Sequence, residues 1–374
     1  MGRKRNPPLN IMNDGRAWRA VEALERRVLS WNDTLPLGWS LNVDLERIAR
    51  ALKKAIDNKI VIPIVAEEYF SLNMEERYQY LAEWRAFGAR NYANNVVLVD
   101  KNGVSLVWYL PDLLGDDLKN HVFRKTKLIQ RKLVKGIHMS NHRWTEEEFE
   151  IIQRGSEWQG DENLFVSSKK KRPRICQGVC SFSFGWRGTG YEWTTDEIAP
   201  SASLSAPENQ VAQTKEWLRE ISPLQLTISL VLSFIHPEQF QAGKNTLDRS
   251  CDKQAFPRTE EWAKIWGSVF TTLTVISGRR AVPHVDSYGS MKHLDALVSL
   301  GTASTAKLVL RDLGATFSYK PGCSIFFSGR GWTHEVPHWG FGERICYASY
   351  TRPEMTAEHG VNVQSYPRQL DVQA

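Results

Sequence analysis

The chain has 374 residues, 42% of them hydrophobic and 24% charged, which suits a globular protein of one large or two ordinary domains. Its net charge of +6 fits an anionic partner without requiring one. The longest apolar stretch, "LQLTISLVLSFI", is too short to span a bilayer, and the five irregularly spaced cysteines do not suggest a disulfide framework. A reduced intracellular protein without a membrane partner is therefore expected, and a monomer.

In chain order, residues 1–10 are basic and polar and are expected to be a disordered tail. "VDLERIARALKKAI" sets Leu45, Ile48, Leu52 and Ile56 on one helical stripe. "NMEERYQYLAEWRAF" predicts a second helix with Leu81 and Trp84 inward. "VVLVDKNGVSLVWYL" predicts a hairpin turning at Asn102-Gly103. "LKNHVFRKTKLIQRKLVK" predicts a basic helix carrying Arg124, Lys125, Lys127, Arg131 and Lys132. "TEEEFEIIQRG" carries the Thr145/Glu148 capping box and a stop at Gly155.

"SSKKKRPR" and "PSASLSAPENQ" predict loops at 167–174 and 200–210. Residues 224–235 predict a buried helix, with Ser222 as its cap and Pro223 in its first turn. From 268 to 350 the texture changes to short strands separated by Gly or Pro turns, the pattern of a sandwich or barrel.

Two His-x-Asp pairs lie in this strand-rich part, His284-Val-Asp286 and His293-Leu-Asp295. Such a pair at a strand end can send both side chains toward one metal ion. Two imidazoles and one carboxylate on one face of the ion suit non-haem Fe(II), whose other face stays open. His284 ends an apolar run and enters a Ser/Tyr/Gly loop, which favours it as a ligand. His293 and Asp295 lead into "ALVSLG" and are expected to be its solvated leading end. Downstream, "GRGWTHEVPHWGFGERICYASY" offers His334, 48 residues after Asp286, with His338 as a competitor. Arg344, ten residues after His334, opens a strand where a buried guanidinium could clamp a carboxylate.

The order His-x-Asp, about 50 residues, His, about 10 residues, Arg, with a Pro-Gly turn before the distal His, resembles the iron/2-oxoglutarate dioxygenases. "CQGVCSFSFGWRGTGYEW", "PHVDSYG" and "RICYASYTRPEM" resemble segments of the TET/JBP proteins, and the last resembles their compact fungal branch. The resemblance implies an α+β fold with a double-stranded β-helix (jelly-roll) core, flanking helices and a mainly helical N-terminal part. It divides the chain into a tail (1–10), a mainly helical region with one hairpin (11–165), the dioxygenase region with supporting helices (166–358) and a C-terminal tail (359–374).

By the same resemblance His284, Asp286 and His334 would bind Fe(II), and Arg344 would grip 2-oxoglutarate, with O2 as cosubstrate. Two positions after the arginine many relatives carry Ser or Thr; here Cys346 stands, which leaves the second cosubstrate contact open. Trp186, Arg187, Tyr191 and Tyr288 would lie near the substrate, and Phe182 and Phe184 would be core. The implied partner is double-stranded DNA containing methylated bases. The implied reaction oxidises 5-methylcytosine to its hydroxymethyl form, and onward to formyl and carboxyl. A 6-methyladenine demethylase, a small-molecule or protein hydroxylase, and a non-catalytic DNA-binding protein on the same fold are the alternatives.

Lys169 to Arg174 and the basic helix suit a nuclear protein that meets DNA phosphates. His138, His142, Cys176 and Cys180 have loose spacings, so a zinc site is not expected.

Overall fold

The computed structural model describes residues 41–135, 161–166, 173–186, 198–286 and 289–368. The first element, α1 (Leu41–Asp57), buries Ile48 and Leu52 and half-buries Ile56, as its stripe predicts; the side chain of Leu45 lies outside the described set. After β1 (Ile60–Val61) come α2 (Ala66–Ser71), α3 (Met74–Tyr80) and α4 (Ala82–Ala86). The single helix expected over the last two is broken at Leu81. Asn73 caps α3 through a complete capping box with Glu76. Then follow β2 (Arg90–Tyr92) and the expected hairpin, β3 (Val96–Val99) and β4 (Ser105–Leu110). Asp100 closes its turn by accepting from the backbone N–H groups of Asn102 and Val104.

The basic segment is α5 (Asp116–Lys125) running into a 3-10 turn, Thr126–Lys132. Its charge is not all free for a partner. The buried Lys132 ammonium donates to the carbonyls of Ser203 and Ala206, and Lys125 pairs with Glu220. Arg124, Lys127 and Arg131 remain exposed. The predicted helix at 145–155, His138, His142 and Lys169 to Arg172 lie outside the described residues.

The middle of the chain forms β5 (Gly178–Ser183), α6 (Ala202–Ser205), α7 (Val211–Glu220), α8 (Ser222–Ile235), α9 (Pro237–Ser250) and α10 (Glu260–Lys264). The loop expected at 200–210 thus contains one α-helical turn and one 3-10 turn, Glu208–Gln210. All but one residue of α8 is buried, as its unbroken apolar run requires. Ser222 does not cap it but begins it, and its hydroxyl donates to the Arg219 carbonyl. Among the described residues no single helix is long and apolar enough to cross a membrane.

The strand-rich part gives β6 (Thr272–Ser277), β7 (Ala281–His284), β8 (Asp295–Gly301), β9 (Lys307–Leu310), β10 (Ala315–Ser318), β11 (Ser324–Phe327), β12 (His334–Val336) and β13 (Arg344–Tyr350), followed by α11 (Pro353–Glu358). These strands pass back and forth between two sheets. One has the order β1-β3-β4-β11-β8-β13-β6-β5, the other β2-β10-β9-β12-β7. The run from β6 to β13 is a double-stranded β-helix, the jelly-roll core of the α+β fold. The hairpin extends one of its sheets, because β4 pairs with β11, and β2 extends the other by pairing with β10. The boundary drawn at 165/166 therefore does not separate the sheets.

Strand alternation explains two cores. On β13, Ile345 and Tyr347 join Val298, Leu300, Phe326 and the helices, where Trp217 of α7 donates to the Tyr347 hydroxyl at 3.0 Å. Cys346 faces the other way, into the space between the sheets with Tyr319, Ile325, Phe327 and Trp332. Both faces of the eight-stranded sheet are thus covered, which is why β3, β4 and β11 are apolar at nearly every position. One end of the space between the sheets holds the functional side chains.

Candidate active site

The antiparallel register of β7 and β12 sets His284 directly opposite His334, with ring centroids 4.1 Å apart. Each imidazole is oriented by the backbone two residues before it. Nδ1–H of His284 donates to the Val282 carbonyl at 2.7 Å, and Nδ1–H of His334 to the Trp332 carbonyl at 3.0 Å. A carbonyl only accepts, so the proton sits on Nδ1 and both Nε2 lone pairs are left for a metal. Asp286 completes the set. Its Oδ1 lies 3.7 Å from Nε2 of His284 and its Oδ2 lies 3.8 Å from Nε2 of His334.

One ligand atom from each residue falls within 4.8 Å of the others, the spacing of donors around one ion. Burial, and then the neighbouring His334, lower the pKa of His284 to about 4, so the ring stays neutral and able to ligate at ordinary pH. His338 is exposed and outside this cluster, which decides between the two distal candidates.

Arg344 opens β13 with its side chain buried. One terminal nitrogen donates to the Arg279 carbonyl at 2.9 Å, while Nε has no hydrogen-bond partner among the described residues. Its guanidinium carbon lies 5.5 Å from the Tyr319 ring centre and 5.6 Å from that of Trp339. A buried guanidinium between two aromatic rings, with no acidic side chain in ion-pair contact among the described residues, is suited to an anionic ligand. The donor set and this arginine together fit Fe(II) and 2-oxoglutarate.

Residues 200–353 match the family model of the Tet_JBP oxygenase domain of the 2OGFeDO superfamily. By this match residues 200–353 are a Tet_JBP oxygenase domain. The chain is an Fe(II)- and 2-oxoglutarate-dependent dioxygenase. No curated protein sequence matches it. Among solved structures it is similar to NgTET1 in complex with 5mC DNA, at 16% identity, over 81% of this chain and 98% of that one, with a TM-score of 0.43. A 2OG-Fe(II) oxygenase family protein from Caulobacter crescentus matches at 11% identity over 84% and 96% of the two chains, with a TM-score of 0.27. The viral collagen prolyl hydroxylase of Paramecium bursaria Chlorella virus-1, in its 2OG complex, matches at 19% identity over 22% and 59%, with a TM-score of 0.19.

In the Tet_JBP domain, the second His-x-Asp pair is not a solvated strand end. His293 and Asp295 are both buried, and burial, reinforced by Asp286, raises the Asp295 pKa well above the ordinary carboxylate range. The pair escaped the sequence reading because two polar residues at a strand's leading end look like surface. Tyr319 also escaped it. Its hydroxyl lies 3.2 Å from Sγ of Cys346, beside Arg344. The only signal was an aromatic residue just before the Pro321-Gly322 turn.

Farther along the sheet interior, the Tyr350, Thr274 and Ser181 hydroxyls form a row. Tyr350 and Thr274 are 3.3 Å apart, Thr274 and Ser181 2.7 Å. Nearby, the Arg352 guanidinium stacks 4.7 Å over the half-buried Trp186 ring. Of the four substrate candidates, Trp186 is the one described; Arg187, Tyr191 and Tyr288 lie outside the described residues. Phe182 and Phe184 are fully buried against Trp217 and Trp266, as expected of core. Cys176 is exposed and Cys180 half-buried, and both are free thiols. Gly178 of the Cys-Gln-Gly motif has a packing reason: a Cβ there would sit 2.5 Å from the backbone of Leu133 and Val134.

Proposed function

We propose that this dioxygenase oxidises the methyl group of 5-methylcytosine in DNA, to the hydroxymethyl form and onward. The observation that carries the reading is the match of residues 200–353 to the Tet_JBP oxygenase domain, on a chain whose triad and buried arginine are complete. The exposed Arg124, Lys127 and Arg131 suit a phosphate backbone, and a nuclear location would suit such a substrate.

In this reading Nε2 of His284, Nε2 of His334 and the Asp286 carboxylate hold the iron. Arg344 receives the distal carboxylate of 2-oxoglutarate, and its contact with the Arg279 carbonyl fixes the orientation of the guanidinium. The Tyr319 hydroxyl supplies the second donor, in place of the hydroxyl that Cys346 lacks. When bound, iron and 2-oxoglutarate supply, with O2, the oxidation of a methyl C–H to C–OH, with succinate and carbon dioxide as the other products. The two sheets wall this space, and the side chains position the reacting groups.

A methyl group inside a duplex is out of reach, so the base must leave the stack. The hydroxyl row of Tyr350, Thr274 and Ser181 then offers donors and acceptors to its polar edge, and the Arg352–Trp186 stack offers a flat cationic surface beside it.

The deciding experiment is mass spectrometry of duplexes carrying 5-methylcytosine or 6-methyladenine after incubation with iron, ascorbate and 2-oxoglutarate. Oxidised cytosine products support the proposal. Loss of methyl from adenine alone, with formaldehyde released, would replace it with the demethylase reading. Tyr319→Phe is expected to raise the Kd for 2-oxoglutarate by about tenfold, the loss of one hydrogen bond to a charged group. Anaerobic titration of the Fe(II) protein by its visible absorption would measure this, and an unchanged Kd would remove Tyr319 from the site.

A further inference from the structure

The second His-x-Asp pair lies against the first, and the contact passes through one glycine. Gly329 follows β11 by two residues. Its N–H donates to Oδ2 of the buried Asp295 at 2.9 Å, and its carbonyl accepts the backbone N–H of Asp286, also at 2.9 Å. Both carboxylates lie close to the bare Cα of this glycine. A Cβ at Gly329 would sit 2.2 Å from Oδ2 of Asp286 and 2.8 Å from Oδ2 of Asp295. The loop after His284 is also held at its far end, where Ser328 Oγ donates to the Ser290 carbonyl at 2.9 Å.

Asp295 is itself rigid. It belongs to β8, opposite Phe327 in the ladder, so the strand pair fixes its distance from the residues that follow β11. No cation is in ion-pair contact with it among the described residues. A buried carboxylate without a counter-charge is costly, and its one strong hydrogen bond goes to the segment that supports the metal ligand.

We infer that Asp295 is a positioning residue for the iron site: by holding the Gly329 peptide it sets the backbone of Asp286, and so the aim of the third metal ligand. The inference rests on the triad being the metal site. It needs the acceptor oxygen of Asp295 and the bare Cα of Gly329, and no particular substrate.

The test measures Mn(II) binding to the full-length apo protein by calorimetry, with thermal unfolding of each apo variant alongside. Asp295→Asn keeps an acceptor of the same shape, and its affinity should stay within about threefold of the original protein. Asp295→Leu loses the acceptor and Gly329→Ala fills the space between the carboxylates. Each should weaken Mn(II) by about 10- to 100-fold, the usual range for residues that orient a ligand. Wild-type affinity in a folded Asp295→Leu or Gly329→Ala protein would overturn the inference. So would an Asp295→Asn protein as weak as Asp295→Leu, because charge and not the hydrogen bond would then matter. If Asp295→Leu does not fold, Gly329→Ala and Asp295→Asn decide between these results. Failure of the unmodified protein to bind one Mn(II) would instead remove the triad assignment.

Discussion

Under the proposed function, Asp286→Ala and His334→Ala are each expected to abolish methyl oxidation while leaving the proposed DNA binding in place. The three ligand atoms share one point in space, so removing any of them leaves two donors. Two donors hold a divalent ion weakly, and they no longer fix which positions around it cosubstrate and oxygen take. Asp286 should be the more informative. It is the anionic ligand, and its carboxylate is half-exposed at the edge of the site, so its removal should disturb the fold least. His334 is buried, its Nδ1–H donates to the Trp332 carbonyl, and its ring packs edge-on to Phe327. Its removal should also lower stability, by about 1–3 kcal/mol for a buried hydrogen-bonded group. Product analysis by mass spectrometry, with a gel-shift assay on the same variants, separates the two effects. Retained turnover in Asp286→Ala would mean that the iron is held elsewhere.

Arg344→Ala should raise the 2-oxoglutarate concentration needed for half-maximal turnover by about 100-fold, the loss of a charge-assisted, two-point contact. Arg344→Lys keeps the charge but loses the planar fork, and should fall between, at about tenfold. The Kd for Mn(II) without cosubstrate should not move in either variant, because the guanidinium is not a metal ligand. An unchanged cosubstrate requirement in Arg344→Ala would move the anion site elsewhere, and the neighbouring Arg279 would be the next residue to replace. Arg279 is also buried, and burial followed by the charge of Arg344 lowers its pKa to about 10.

The parts of this site legible in the sequence are those whose geometry is local. His284 and Asp286 are two residues apart at a strand end, and Arg344 opens a strand after a turn. His334 is favoured over His338 already in the sequence, by its nearness to the preceding strand and its spacing from Arg344, and the ladder places it across from His284. What stayed hidden depends on contacts between strands distant in the chain. Asp295 meets Gly329 across 34 residues, and Tyr319 meets Cys346 across 27. Neither pair leaves a trace in hydrophobic periodicity, because a buried carboxylate and a surface one are the same letter. Lys132 shows the same limit. It lies in a basic run that suggests a solvated face, yet its ammonium is used up on two carbonyls of the α6 turn. The jelly-roll strands were readable because their turns are short and their apolar runs regular. The placement of the hairpin β3–β4 beside β11 was not, because strand order is a property of the whole sheet.

Among the described residues β7 is the border strand of the five-stranded sheet, with β12 as its single neighbour and a proline at position 283. A border strand of four residues frays readily when one ladder holds it. Here the two imidazoles stand on opposite sides of that ladder, so an ion held between them cross-links the hem to the cloth. Ion retention and closure of the sheet margin then become one linked equilibrium: a chelator loosens the margin, and any change that loosens the margin sheds the ion.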